Sequence, residues 1–239
     1  MVAGFFALGV LINLGPRVGK FNADGSANAI KAHNVPFTIT GLMLIIVGFF
    51  GFLGGCIIYT GDTWMTIYNT PATLSAFAFN TLMGVAGGMI GAYLVTRDPF
   101  WMMSGALIGV ISSAPALDLY YPGLAFLISF GGGCVMPKLN DILVEKFKID
   151  DAVGAIGAHA GAGIVGTLAL CFLAPASNLP MPRLEQFSIQ AFSVLVNFVW
   201  SFGLGLAFFF ALKICLGIRV ANDAETTGLN ESEHNTRIG

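Results

Sequence analysis

Six stretches of this 239-residue chain are too long, too apolar and too poor in charge to be packed inside a soluble domain. They cover roughly 37–59, 72–95, 100–117, 120–136, 152–174 and 188–217, against the ~20 apolar residues that cross a hydrocarbon core. Only 10% of the chain is charged, whereas soluble domains carry about 25%. Backbone polar groups inside a bilayer must be satisfied within the protein, so only helices and closed barrels span it. The stretches show no apolar/polar alternation, so they are helices. The fold class is therefore all-α: a polytopic membrane helical bundle of about six transmembrane helices plus a partial N-terminal one.

The same composition excludes other classes. Net charge is −2 and no basic run points to nucleic acid. There is no Walker loop, no GxGxxG after a strand and no nucleophile elbow, so nothing implies an enzyme or a cofactor. Cys56, Cys134, Cys171 and Cys215 lie in apolar stretches without CxxC or Cys/His pairing. They read as small buried hydrophobes rather than as a zinc site or disulfide framework.

Met1–Leu14 is apolar but too short to span, and Gly15-Pro16-Arg17 ends it. Residues 17–36 read as a polar loop, with His33 as a helix cap. A polar loop follows at 60–71. Lys138–Asp151, the most charged stretch, reads as a short amphipathic surface helix. Residues 175–187 form a Pro-rich loop. Two regions result: a membrane domain at 1–217 and a polar tail at 218–239. Numbering the loops alternately puts ten of the 11 Lys and Arg residues on one side and only Arg183 on the other. The positive-inside rule makes that populated side, with the C-terminal tail, cytoplasmic.

One polar residue interrupts the fifth span. Asp150 and Asp151 can cap and charge-match its start. Gly154, Ala158, Ala162 and Gly166 recur every four residues, a stripe along which another backbone can approach. His159 follows Asp151 by eight residues, roughly 12 Å along a helix. That is near the midplane of a core about 30 Å thick. An ionisable group at that depth is costly unless it faces a partner or a polar path. The plainer reading is a neutral histidine bonded to a neighbouring helix. His234 in the tail reads as solvated, and Phe208, Phe209 and Phe210 as lipid-facing or packing residues.

An ordered set of short strings resembles the ammonium transporter family, comprising the Amt, Mep and Rhesus proteins. The strings are Gly15-Pro16-Arg17-Val18-Gly19, His33-Asn34-Val35-Pro36, Gly48-Phe49-Phe50-Gly51-Phe52 and Asn80-Thr81. They continue with Ile149-Asp150-Asp151, the His159 segment to Gly166, Trp200-Ser201 and Gly217-Ile218-Arg219-Val220 with the tail beyond. Each alone is weak; together, in the family's order, they cover the chain.

The resemblance implies the second half of an eleven-helix fold of two inverted repeats, assembled as a homotrimer in the lipid bilayer of the cell inner membrane or plasma membrane. It implies ammonium or ammonia transport, with methylammonium as a further substrate, through a narrow hydrophobic pore. His159 matches the second of two central pore histidines. Phe52 matches a phenylalanine of the external gate, and Phe49 and Cys56 flank an outer recruitment site. The tail is expected to dock near Asp150 and Asp151 and to meet a regulator of the PII class.

Where the family usually has Trp, Asn and Ser, this chain has Phe49, Leu53 and Cys56. Phenylalanine is a weaker cation–π partner than tryptophan, and a thiol a poorer hydrogen-bond partner than a hydroxyl. The common Thr-Pro-Ala is Ala114-Pro115-Ala116 here. The alignment places Met1 just after the family's first pore histidine. Four helices and the rest of the gate are then expected upstream, in a longer protein or in a partner of a natural half-transporter. The alternatives to transport are an ammonium sensor and a non-transporting half-length membrane protein.

Overall fold

The computed structural model describes residues 1–30, 32–60 and 74–229. All of the expected loop at 60–71 except Thr60, and the tail beyond 229, lie outside them. The described residues form eight α-helices: α1 Val2–Leu14, α2 Val35–Thr60, α3 Leu74–Thr96, α4 Pro99–Ser113, α5 Pro122–Glu145, α6 Ala162–Leu173, α7 Arg183–Cys215 and α8 Asn222–Thr227. Six segments are long and apolar enough to cross a membrane, the fifth formed by a turn at Ile156–Gly161 that runs into α6. The expected all-α membrane bundle is what the chain forms.

The centre is α4, whose residues from Met103 to Val110 are all buried. It packs between α3, α5 and α6. Glycine makes this crossing possible, because without a Cβ two backbones can touch. A Cβ built on Gly88 of α3 would collide with the carbonyl oxygen of Gly105 and come 2.7 Å from Gly109 Cα. Gly133 of α5 meets Gly88 from the other side, where a Cβ would lie 2.9 Å from Ala92 N. The Ser129 hydroxyl then donates across helices to the Gly109 carbonyl at 2.7 Å. Helices α2 and α7 form the periphery and leave long apolar faces exposed, as suits lipid or further helices.

Two expectations change. Lys138–Asp151 is not a separate surface helix: α5 runs through Pro137 to Glu145. Proline removes one backbone donor, but packing of the surrounding turns keeps the helix going, as transmembrane helices tolerate. The cysteines also divide. Cys171 is buried and Cys134 half-buried, whereas Cys56 and Cys215 sit on the exposed outer faces of α2 and α7. Apolar neighbours in sequence meant lipid-type surroundings there, not a protein core.

Helix α1 belongs to the far end of the chain. Gly9 abuts α7, where a Cβ would come 2.5 Å from Leu206 N. The Asn13 amide donates to the carbonyls of Gly9 and Leu206 at 3.0 and 2.9 Å. Two cations then cover the C-terminus of α1, where carbonyls are left over: Lys213 donates to the Asn13 carbonyl and Arg219 to that of Leu14.

Replacing Gly88 by valine is expected to destabilise the bundle by about 1–3 kcal/mol, the usual cost of overpacking. Gly131→Ala, with nothing within 4 Å of the new methyl, serves as the control. Unfolding midpoints in detergent check this: the first should fall by several degrees and the second should not.

Candidate functional site

The segment around His159 begins with a division of labour between two adjacent carboxylates. Asp151 caps the helix, accepting hydrogen bonds from the backbone N–H groups of Ala155 and Ile156 at 2.9 and 2.7 Å. Asp150, expected to share that role, turns away and receives Arg17. The guanidinium donates from Nε to Oδ2 at 2.7 Å and from Nη2 to Oδ1 at 2.8 Å, and the Arg17 backbone N–H adds 2.9 Å. Only one of two neighbouring side chains can face a helix start, so the other is available for a partner. The Asp150 side chain is 2% exposed. Burial alone would raise its pKa, but the hydrogen bonds and positive charge of Arg17 outweigh burial and hold it below the ordinary carboxylate range.

The helix does not start where the sequence pattern placed it. Gly154 has φ +69°, a left-handed conformation, and the Trp101 ring lies where its Cβ would be, 2.5 Å from that point. Residues Ile156–Gly161 then form a π-helical turn, one residue wider than an α turn, before α6 continues. Such turns are rare and recur at functional positions. The extra residue rotates the upstream face by about 100° relative to α6. The expected stripe of Gly154, Ala158, Ala162 and Gly166 nonetheless meets one neighbour, α4, at Trp101, Ile108 and Ser112. Gly157 and Gly161 approach Met136 of α5, and Gly166 approaches the Ser112 backbone of α4.

His159 lies in the middle of this π turn, half-buried. Its neighbours anchor it on both sides. Ala158 and Ala162 pack with Ile108 and Met136, flanked by Trp101. Ala160 touches α1, where a Cβ on Gly4 would come 2.7 Å from Ala160 Cβ. Met1 lies against Gly163 one turn on. The imidazole makes no hydrogen bond to the described residues. No three His, Cys, Asp or Glu side chains gather as a metal-binding group among the described residues.

The other candidates sit towards the opposite end of the bundle from Arg17 and Asp150. Phe49 packs against the buried cluster of Leu53, Val110 and Leu117. Phe52 projects from α2, 69% exposed. Cys56, also exposed, shares its strip of α2 and directs its thiol at the Phe52 carbonyl, 3.5 Å away. Among the described residues, no hydrogen bond or shared buried cluster joins His159 to any of these three. His33 does not cap α2; the neighbouring Asn34 does, accepting from the Phe37 N–H at 3.0 Å.

The tail reaches the Arg17 loop. Glu225 of α8 accepts from the Val18 N–H at 2.7 Å and from both sides of the Arg219 guanidinium. The backbone hydrogen bond from Val18, despite slight burial, and then Arg219 hold the Glu225 carboxyl below its usual range. Residues 17 and 18 thus join the start of the His159 segment to the tail. The resemblance placed the tail near Asp150, but the contacts themselves, Arg17 with Asp150 and Val18 with Glu225, span 133 and 207 residues and are invisible in the sequence.

A bundle of six membrane-length helices among the described residues, with a histidine in the fifth, defines a polytopic helical membrane protein. The chain belongs to the ammonium transporter family: residues 1–237 match the family described as Ammonium Transporter Family. It is 31% identical over 251 residues to the ammonium transporter Amt2 of Archaeoglobus fulgidus, covering 98% of this chain and 52% of that protein. It is 29% identical to Amt1 of Methanocaldococcus jannaschii, over 96% of this chain and 56% of that one. Among solved structures, a Sensor Amt Protein superposes with a TM-score of 0.86 at 32% identity, over 97% of this chain and 57% of that one. Mep2 of Saccharomyces cerevisiae shares the fold, with a TM-score of 0.75 at 16% identity over 93% of this chain and 51% of that one. The chain thus spans about half the length of these relatives.

Two predictions follow from this geometry. Gly154→Ala combines a left-handed φ with the Trp101 clash and is expected to cost about 1–3 kcal/mol, read as a lower unfolding midpoint. The Arg17–Asp150 pair stabilises the fold above the unfolded-state carboxyl pKa near ~3.9. Because the folded-state value is lower, that stability is lost as pH falls below ~4 and through it. Asp150→Asn should lower stability at neutral pH and flatten the acid limb of a melting-point-against-pH curve.

Proposed function

We propose that the protein transports ammonium or ammonia across a cell membrane, with His159 at the centre of the pore. The observation that carries this reading is the half-buried imidazole held by a π turn within the fifth membrane-length segment of a chain of the ammonium transporter family. Ammonium in a dry pore is a desolvation problem, because an unpaired cation in hydrocarbon costs many kcal/mol. Histidine is the side chain that exchanges a proton near neutral pH. An imidazole at this depth can take or return the proton, so that nitrogen crosses as ammonia while the charge moves separately. Potassium has no proton to give up and is rejected.

Phe49 and Cys56 flank the outer site in this reading, and Phe52 gates it, its exposed ring meeting elements beyond those described. The loops rich in Lys and Arg and the tail lie on the cytoplasmic side by the positive-inside rule. The protein works as a homotrimer in the inner or plasma membrane, with 1–217 as membrane domain and 218–239 as regulatory tail. Glu225 and Arg17 offer a route by which a PII-type regulator at the tail could act on the His159 segment.

In the full-length protein, His159→Leu is expected to abolish normal methylammonium uptake or its selectivity against potassium. Uptake and selectivity equal to wild type would refute the pore role. A second reading is ammonium sensing, favoured by the likeness to the Sensor Amt Protein. It predicts nitrogen signalling that persists in a variant whose uptake is lost.

A further inference from the structure

Helix α4 pins the His159 segment at two points. At one, the Trp101 indole lies over Gly154, 2.5 Å from where a Cβ would stand. At the other, the Ser112 carbonyl closes on Gly166 so tightly that a Cβ there would collide with its oxygen. Between them Ile108 packs on Ala158 and Ala162. Trp101 is itself held in place. The Asp98 carboxylate that caps α4 accepts from the N–H groups of Phe100 and Trp101 at 2.7 and 3.4 Å, and the Phe100 ring meets the indole edge-on at 5.8 Å.

The two pins are unequally spaced along the chain. Trp101 and Ser112 are 11 residues apart, about three full turns of helix, so they project from nearly the same side of α4. Gly154 and Gly166 are 12 residues apart. A regular α-helix turns by about 1200° over that distance, which would leave Gly154 about 120° away from the side that Gly166 presents to α4. Residues Ile156–Gly161 wind more slowly, as a π turn, and absorb the surplus residue. His159 is among them. An α turn is the ordinary form and a π turn the rare one, so this turn persists because both its ends are tied to one rigid helix. Met136 of α5 and Gly4 of α1 support the turn from other sides. The tie at Gly166 is backbone against backbone, whereas the tie at Gly154 is a single side chain.

We propose that Trp101 is the positioning residue of His159: by pinning Gly154 to α4 it keeps the segment in its π turn and fixes the direction of the imidazole. The indole acts through the backbone that joins Gly154 to His159, five residues on. Without the ring, Gly154 swings back towards a regular α-helical path and the imidazole turns with the segment. The consequence for uptake rests on the transport reading; the consequence for the imidazole does not. Proton exchange with a passing ammonium needs donor and acceptor aligned, and a misplacement of about 1 Å can cost about 10²-fold in such a step.

The test is the solid-state nitrogen-15 spectrum of histidine-labelled full-length protein in bilayers, with His159 assigned by the signals lost in His159→Leu. Trp101→Leu, which removes the ring, should move the His159 ring signals and leave those of His33 in place. Trp101→Phe, which keeps an aromatic edge against Gly154, should restore the wild-type positions. In methylammonium uptake, Trp101→Leu should lower the maximal rate about tenfold or more at an unchanged half-saturating concentration, and Trp101→Phe should recover most of that loss. Three outcomes overturn the proposal: His159 signals unmoved in Trp101→Leu, signals that Trp101→Phe fails to restore, or a half-saturating concentration that changes while the maximal rate does not. If Trp101→Leu does not insert, Trp101→Met is judged by the same criteria. The transport reading fails separately: if the wild-type protein moves no methylammonium, that reading falls and the spectra alone decide the positioning role.

Discussion

Contact between bare backbones at Gly88 is what the rest of the bundle depends on. In hydrocarbon there is little hydrophobic force to press one helix on another, so close packing and interhelical hydrogen bonds must hold them. At this point α3, α4 and α5 all lose their side-chain spacers, through Gly88, Gly105, Gly109 and Gly133. The approach brings the Ser129 hydroxyl within reach of a carbonyl on the neighbouring helix. It also fixes where α4 ends, and therefore where its connection to α5 emerges. On the other flank, the same rigid α4 presents Ile108 to Ala158 and Ala162, and so sets the depth of the His159 turn.

Much of this was legible in the chain. Apolar length and scarcity of charge marked the spans, because the bilayer imposes both. His159 stood out because a lone ionisable residue is rare at that depth. The failures are local and have physical causes. The charges of Lys138–Asp151 suggested a separate surface helix, but a helix that has just crossed the bilayer keeps its hydrogen bonds, and α5 continues through Pro137 to Glu145. The four-residue spacing of small residues suggested one stripe from Gly154 to Gly166. That stripe does meet α4, but the regular helix drawn through it was wrong: Gly154 is left-handed and Ile156–Gly161 is a π turn, which a count of 3.6 residues per turn does not foresee.

Pairings across long separations were beyond reading. Nothing in the sequence near Arg17 selects Asp150 over Asp151; the choice follows from which carboxylate the helix start consumes. Trp101 was unremarkable until its ring was found over Gly154, though a glycine directly before an apolar helix is a signal that space or a left-handed φ is needed. At the other end, Asn80 was visible as a polar residue in a span, but its two carbonyl partners lie 37 and 40 residues away.

The junction of α1 with α7 sets a timetable for biosynthesis. Asn13 donates to a carbonyl 193 residues downstream and has its own carbonyl covered by a lysine 200 residues downstream. At about 5–20 residues per second, the ribosome needs on the order of ten seconds or more to make those partners. Through that interval α1 carries an asparagine with no interhelical partner on α7. The last long helix therefore acts as the closing element of assembly: only when it arrives do Asn13 and the C-terminus of α1 gain these partners.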